Sequence, residues 1–364
     1  MRLVHVSNGP LPYHTPILNE LDSLVDLHVI YMSTSHPLGS FVDLWGSDPR
    51  YEYETYWSLP ATWRRVDFRA QLSLGVSRRL RQLNPDTVLV ISWGPLSWEP
   101  LVWCRRSRAR TVMWSESTAF SGLLRGRASN SFRRALVSLA DAVVTESSSA
   151  TSFVRQLGAT KVVTSCLPSP NAPTTIEAPE RDRAESVSYL FVGRLIARKR
   201  PLDAVGAFLD VIDELPGSTL TVVGDGPLLD AVVHASRGGA GRIEVLPRLE
   251  GQRLSRVYAR SDVLVVPSQR EGWGLVVNEA LAHGLYVVAT DEVASAIDLL
   301  EPGRGRVVPA GDRSALATAL LEAGTVVRHG LEDRVARARD VSHCTAARFA
   351  TDIARAATWA WSES

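Results

Sequence analysis

The feature that most constrains the fold of this chain is an alternation of two kinds of segment. Short runs rich in Val, Ile and Leu (Leu3 to Val6, Thr87 to Ile91, Thr111 to Trp114, Ala142 to Thr145) are separated by stretches with apolar residues at helical spacing, such as Phe68 to Leu83 and Phe132 to Ala140. Strand-length runs without polar alternation are buried on both faces, and the helices between them supply the cover. The pattern predicts βα units around a parallel sheet. It stops once. From Ser165 to Ser186, prolines (Pro168, Pro170, Pro173, Pro179) and charged residues replace it, which is the composition of a linker. It resumes with Val187 to Val192, Thr219 to Val223, Ile243 to Leu246, Val263 to Val266 and Tyr286 to Ala289.

The expected fold is therefore α/β, with two doubly wound parallel-sheet (Rossmann-like) domains over residues 1–170 and 187–343 and a linker at 171–186. A length of 364 residues suits two such domains. The last segment, 344–364, has apolar residues at helical spacing (Phe349, Ile353, Ala356, Ala357) and is expected to pack on the N-terminal domain. Open α/β sheets bind ligands outside the carboxyl ends of their strands, so function is expected in a cleft that the two domains face.

Charge and cysteine usage remove several classes. Forty basic and 39 acidic side chains leave a formal net charge of +1, which argues against nucleic-acid binding through bulk charge and leaves a local patch open. Cys104, Cys166 and Cys344 are an odd set without CxxC spacing, which excludes a disulfide framework and a thiolate zinc cage and suits a reducing compartment, so an unstapled chain is expected. The eight histidines show no i,i+4 pairing, and single histidines are more often core or surface residues than metal ligands. The N-terminal apolar run is too short for a signal peptide, and no segment approaches the ~18 apolar residues of a membrane span. A cytoplasmic protein is expected, at most peripheral to the inner face of a membrane. Charge is uneven, however: from Ala61 to Arg134 there are 14 arginines against Asp67, Asp86, Glu99 and Glu116. Arg64, Arg65, Arg69, Arg78, Arg79 and Arg81 can serve an anionic lipid or acceptor, or form the solvated face of an arginine-biased protein.

Two motifs carry chemistry. Phe191-Val192-Gly193-Arg194-Leu195-Ile196-Ala197-Arg198-Lys199-Arg200 runs from a strand through a glycine into a basic loop, and Pro201 suits the first position of a helix. Cations beside a helix N-terminus make a pyrophosphate site, whereas an isolated basic run is ordinarily a solvated loop. Lys199 is one of only two lysines among the 40 basic residues, so a compact ammonium looks selected there over the planar fork of arginine. The second motif follows the strand Val263 to Val266. In Glu271-Gly272-Trp273-Gly274-Leu275-Val276-Val277-Asn278-Glu279 the glycines expose N–H groups at a helix start, and the two carboxylates suit a hydroxyl-rich ligand held at two ends. Read blandly, Glu279 is a solvent-facing helix residue and Glu271 compensates a helix dipole.

With these residues in view, the chain resembles the retaining GT-B glycosyltransferases of glycosyltransferase family 4 (group 1). The resemblance runs from about Tyr189 to Val308, through Val192-Gly193-Arg194-Leu195, Val223-Gly224-Asp225-Gly226-Pro227, Ala259-Arg260-Ser261-Asp262-Val263, Pro267-Ser268 and the E-x7-E pair Glu271 and Glu279. It implies that Arg194 and Lys199 grip the donor diphosphate and stabilise the leaving nucleoside diphosphate. It implies that Glu279 accepts hydrogen bonds from the ribose hydroxyls, that Glu271 lies near the transferred sugar, and that the N–H groups of Gly272 to Leu275 hold sugar and phosphate. Trp273 stands where relatives often have phenylalanine and is expected to alter the sugar fit. Gly193 and Gly226 are expected beside the nucleotide.

The N-terminal domain resembles the family more loosely. Gly9 lies in the first strand-to-helix loop, where the family sets backbone N–H groups against the donor phosphate, and Tyr13-His14-Thr15-Pro16 resembles a family variant at this place. Glu116 leaves a strand at its carboxyl edge, in the region where relatives keep a histidine or aspartate near the reacting sugar; the competing reading is helix capping by Ser115 and Ser117. Ser92-Trp93 ends another strand and is expected to line the acceptor groove or the core.

The resemblance implies transfer of a sugar from a nucleoside-diphosphate sugar to a hydroxyl acceptor (a glycan, lipid-linked saccharide or natural product), with no resident cofactor. No Asp-x-Asp occurs, so no metal is expected. A phosphorylase or sugar-nucleotide epimerase of the same fold, and a non-catalytic nucleotide-sugar-binding protein, are the alternatives. A dinucleotide-dependent oxidoreductase is disfavoured because the first strand leads into Asn8-Gly9-Pro10 rather than G-x-G-x-x-G.

Overall fold

The computed structural model describes residues 1–11, 13–32, 48–56, 59–62, 69–72, 75–91, 95–116, 118, 127–169, 172–173, 186–327 and 331–360. The chain forms two compact units, one made of Met1–Pro168 with Cys344–Ser364 and the other of Ser169–His343. The second is thus an insertion into the first.

Unit 1 comprises β1 (Arg2–Ser7), α1 (His14–Asp22), β2 (Asp26–Tyr31), β3 (Glu52–Thr55), β4 (Leu59–Thr62), β5 (Arg69–Leu72), α2 (Val76–Leu83), β6 (Thr87–Ile91), α3 (Pro95–Arg106), β7 (Arg110–Ser115), α4 (Arg127–Val137), β8 (Ala142–Thr145), α5 (Ser148–Gln156) and β9 (Val162–Thr164). Seven strands form a parallel sheet in the order β3-β2-β1-β6-β7-β8-β9, and β4 and β5 pair antiparallel in a separate two-stranded sheet. The order reverses between β1 and β6. Val4, Val6, Val88, Val90, Met113 and Val143 fill the core beneath the helices.

The helix expected over 68–83 is shorter. Arg69–Leu72 is a strand, and the helix starts at Val76. The Glu99 carboxylate accepts from the N–H groups of Gly75 (3.2 Å) and Ser77 (2.9 Å), so a side chain from α3 sets that start.

Unit 2 comprises β10 (Ser188–Val192), α6 (Pro201–Asp210), β11 (Thr219–Val223), α7 (Leu229–Ser236), β12 (Ile243–Leu246), α8 (Gly251–Arg260), β13 (Val263–Val266), α9 (Leu275–Ala282), β14 (Tyr286–Thr290), α10 (Ala294–Leu299), β15 (Gly305–Val308), α11 (Arg313–Val326) and α12 (Leu331–Asp340). Its six strands are parallel in the order β12-β11-β10-β13-β14-β15. Here the order reverses between β10 and β13, the strands that lead into the two charged motifs.

The chain then returns to unit 1 as α13 (Ala346–Trp359), which packs on α1 and β8 and buries Phe349, Ile353, Ala356 and Ala357. Cys166, just after β9, and Cys344, just before α13, form a disulfide across 178 residues. This overturns the expectation of an unstapled chain. The spacing of cysteines along a sequence cannot report a pairing made by the return of a distant segment. Cys104 stays free and buried, and burial pushes its thiol up to about 12. Among the described residues no helix is long and apolar enough to cross a membrane.

Candidate functional site

In unit 2 the two motifs meet. The chain leaves β10 through Gly193 and Arg194, makes a 3-10 turn at Ala197–Lys199 and enters α6 with Pro201 at its first position. This path is locked to the turn after β11. The N–H of Leu195 donates to the Asp225 carbonyl (2.6 Å) and that of Gly193 to Val223 (3.0 Å). A Cβ on Gly226, whose φ is 145°, would come within 2.6 Å of the Leu195 carbonyl. Only glycine fits that approach.

The loop after β13 crosses the same place. The N–H of Gln269 donates to the Arg198 carbonyl (2.8 Å), and the Arg198 guanidinium donates to the Arg270 carbonyl (3.2 Å) and to Glu271 Oε2 (3.1 Å). Lys199 Nζ donates to the same carboxylate oxygen. The Lys199 and Glu271 side chains are only 15% and 12% exposed, so this ion pair is shielded from solvent and holds two loops to one another. Arg198, left without a role in the sequence reading, belongs to the cluster, whereas Arg194 is exposed at the strand end.

Behind this pair lies the start of α9. Gly274 takes φ 98° as its N-cap, and a Cβ there would meet Val293, Ser295 and the Glu271 side chain at 3.0–3.2 Å. Ser295 Oγ donates to the carbonyl of Trp273 (2.7 Å). The Trp273 ring is buried, with its indole N–H donated to Asn278 Oδ1 (2.9 Å); it packs the turn from within. Glu279, one turn into the helix, is 5% exposed and accepts from the Tyr258 hydroxyl of α8 (2.8 Å). Burial and that carboxylate push the phenol of Tyr258 upward, so it remains a donor. Arg334 and Arg337 of α12 donate to the carbonyls of His283 (2.9 Å) and Gly284 (2.8 Å), fixing the far end of α9. Tyr258, Arg334 and Arg337 were not legible as site residues, because what they do depends on a helix packed alongside.

In unit 1 a second cluster gathers at the carboxyl edge of the sheet. Gly9 is buried after β1, where the Ser7 hydroxyl donates to its carbonyl (3.2 Å). His14 opens α1, and Glu116 follows β7. They meet: His14 Nε2 lies 2.9 Å from Glu116 Oε1, and the Tyr13 hydroxyl donates to the same oxygen at 3.3 Å. Glu146, the residue after β8, is 3% exposed and accepts from the indole N–H of Trp114 (2.8 Å). Burial and the Glu116 carboxylate hold the carboxyl of Glu146 well above the usual range. Trp114 is fully buried between His14 and Phe349, with ring centroids at 4.4 and 4.9 Å. Beneath it His5 sits fully buried beside the Leu89 carbonyl (3.1 Å), and desolvation lowers it to about 3. His14, Glu116 and Glu146 each present a ligand-type atom within 4.8 Å of the others. Hydrogen bonds engage all three residues, and we assign no metal to them. Ser92, Trp93, Arg64, Arg65 and Ser117 lie outside the described residues.

Residues 186–324 match the family model described as "Glycosyl transferases group 1". The D-inositol 3-phosphate glycosyltransferase of Corynebacterium glutamicum is 32% identical over 198 residues, which are 48% of this chain and 47% of that protein. The sulfoquinovosyl transferase of Arabidopsis thaliana is 36% identical over 105 residues, 29% of this chain and 19% of that one. Matches to these and other curated relatives span 17% to 51% of the relatives' own lengths.

Likeness of fold extends over the whole chain. A lipopolysaccharide outer core galactosyltransferase, WaaB, has a TM-score of 0.74 at 15% identity, covering 98% of this chain and 99% of that one. The Anabaena protein HepE in complex with UDP has a TM-score of 0.73 at 15% identity, covering 98% and 99%. Residues 186–324 are thus similar to a group 1 glycosyl transferase domain, in a chain with the two-unit parallel α/β fold of the GT-B glycosyltransferases.

Proposed function

We propose that this protein is a retaining glycosyltransferase of family 4 that moves a hexosyl-type group from a nucleoside-diphosphate sugar to a hydroxyl acceptor without a metal. The observation that carries the reading is the cluster of Arg198, Lys199 and Glu271 on the loops that leave β10 and β13, at the point where the strand order of unit 2 reverses. Ligands of open α/β sheets bind at such a point. In this reading Lys199 and Arg194 neutralise the departing diphosphate, a role whose value rises where solvent is scarce. Arg198 secures Glu271 beside the sugar, the N–H groups of Gly272 to Leu275 at the start of α9 hold sugar and phosphate, and Tyr258 orients Glu279 toward the ribose. On unit 1, Glu116 and His14 serve the acceptor. Because the anionic leaving group is met by fixed cations, the chemistry needs no side-chain nucleophile. UDP-linked donors are the first to try, since the HepE neighbour was solved with UDP and with UDP-glucose.

The test is a thermal-shift panel of nucleoside diphosphates followed by turnover of the matching nucleotide sugars. The cognate diphosphate at 100 times its Kd is expected to stabilise the protein by ~2.7 kcal/mol. No shift with any base, together with no consumption of any nucleotide sugar, would refute the reading.

A further inference from the structure

Unit 1 sets two carboxyl groups side by side, and they differ in their access to water. Glu116 is 36% exposed and Glu146 3%, with carboxylate oxygens within 4.8 Å of one another. Two like charges that close, one of them out of water, do not coexist; the pair retains a proton, and the drier member keeps it. Around Glu146 stand Trp114 from β7 and Glu116 just after it, Tyr13 and His14 at the start of α1, and His5 from β1 beyond the Trp114 ring. The charged residues of α13, Arg348, Asp352 and Arg355, pair with one another. Both donors to Glu116, the Tyr13 hydroxyl and the His14 ring, meet the same oxygen, Oε1.

We propose that Glu146 is a positioning residue that keeps the Glu116 side chain seated against Tyr13 and His14, with Oε2 turned to an acceptor hydroxyl. This rests on the reading of Glu116 as the acceptor-side group of a glycosyl transfer. Protonated, Glu146 offers its neighbour a polar but uncharged surface. Ionised, it repels Glu116 off the two donors and toward solvent. Turnover should therefore fall at alkaline pH as Glu146 loses its proton.

The experiment compares wild type, E146A and E146Q. Initial rates are read as nucleoside diphosphate released from a panel of UDP-, GDP- and ADP-linked sugars across pH. Difference infrared spectroscopy of the same proteins reads protonated carboxyl groups without needing substrate. E146A is expected to lower kcat about tenfold through misplacement of Glu116. E146Q, uncharged and of the same shape, is expected to recover most of that loss and to lack the alkaline fall. The infrared band of a protonated carboxyl at neutral pH is expected in wild type and absent from E146Q. The proposal is overturned if E146Q turns over no better than E146A, if the alkaline fall persists in E146Q, or if wild type shows no such band. Should wild type consume no nucleotide sugar, the glycosyl-transfer reading fails and the positioning role falls with it. The infrared band then still decides whether the two carboxyls share a proton.

Discussion

The two units build their clusters from opposite materials. Unit 2 uses opposite charges on two loops of one strand-order reversal, and each loop carries its own sequence motif. Unit 1 uses groups that desolvation drives toward neutrality, His5 and Glu146, around one carboxylate that still reaches solvent. Charged pairs bind and stabilise anions, whereas neutral buried groups shape what stands over them. The contrast teaches that a cluster of opposite charges can be written locally, while a cluster of neutralised groups is made by tertiary burial.

Construction differs too, and here the largest effect is expected. Unit 1 is closed by α13 after an excursion of more than a hundred residues, and the Cys166–Cys344 link joins the two ends of that excursion. Reduction of the full chain, or C344S, is expected to cost ~2–5 kcal/mol through the loop-closure entropy regained by the unfolded chain, and because the loop that the link closes is unit 2 itself, the loss is not confined to unit 1. Scanning calorimetry with and without reductant should show the midpoint of unfolding fall. An unmoved midpoint would leave the link without a part in stability.

The next effect probes unit 2. K199A is expected to lower kcat by about 10²–10³-fold, the cost of removing one preorganised stabiliser of developing negative charge. K199R should recover little, because the planar fork does not reproduce the compact ammonium held by Glu271. Steady-state kinetics with the donor found by thermal shift would read this, and a K199A enzyme with unchanged kcat would remove Lys199 from the chemistry. Y258F, which takes the donor away from Glu279, is expected to weaken nucleoside diphosphate binding about tenfold by calorimetric titration. An unchanged Kd would make Tyr258 a packing residue only.

The smallest effects belong to the buried groups of unit 1 and have opposite signs. Native His5 takes up a proton only near pH 3, but an unfolded histidine does so near 6.5. Between those values the unfolded chain binds the extra proton, and stability falls as pH drops from 6.5, by up to ~1.4 kcal/mol per pH unit. Glu146 works the other way. Its unfolded carboxyl ionises near 4.5 while the native one keeps its proton, so stability is lost as pH rises above 4.5. Urea midpoints of H5Q and E146Q at pH 5.5, 6.5 and 7.5 should each show less of the corresponding slope than wild type.

Much of the frame was legible in the chain. β10, β11, β12, β13 and β14 fall within a residue of the apolar runs, because strands buried on both faces leave an uninterrupted signal. The turn into α6 was legible from Pro201, and the charged loops from their composition. The stretch 68–83 misled: its apolar spacing suits a helix, but Arg69–Leu72 found a strand partner in Leu59–Thr62. The burial of Trp273 was not legible, since a large ring beside two glycines is as fit to pack a turn as to face a sugar.

The sequence by itself determined the fold class, the break between the two sets of strands and the charged residues after β10 and β13, because hydrophobic period and loop chemistry act over a few residues. Tertiary structure alone decided the union of Cys166 with Cys344, the place of Arg198 beside Glu271 and the meeting of His14, Glu116 and Glu146. Those depend on which strand lies next to which and on how much water remains between them, and neither is carried by neighbours along the chain.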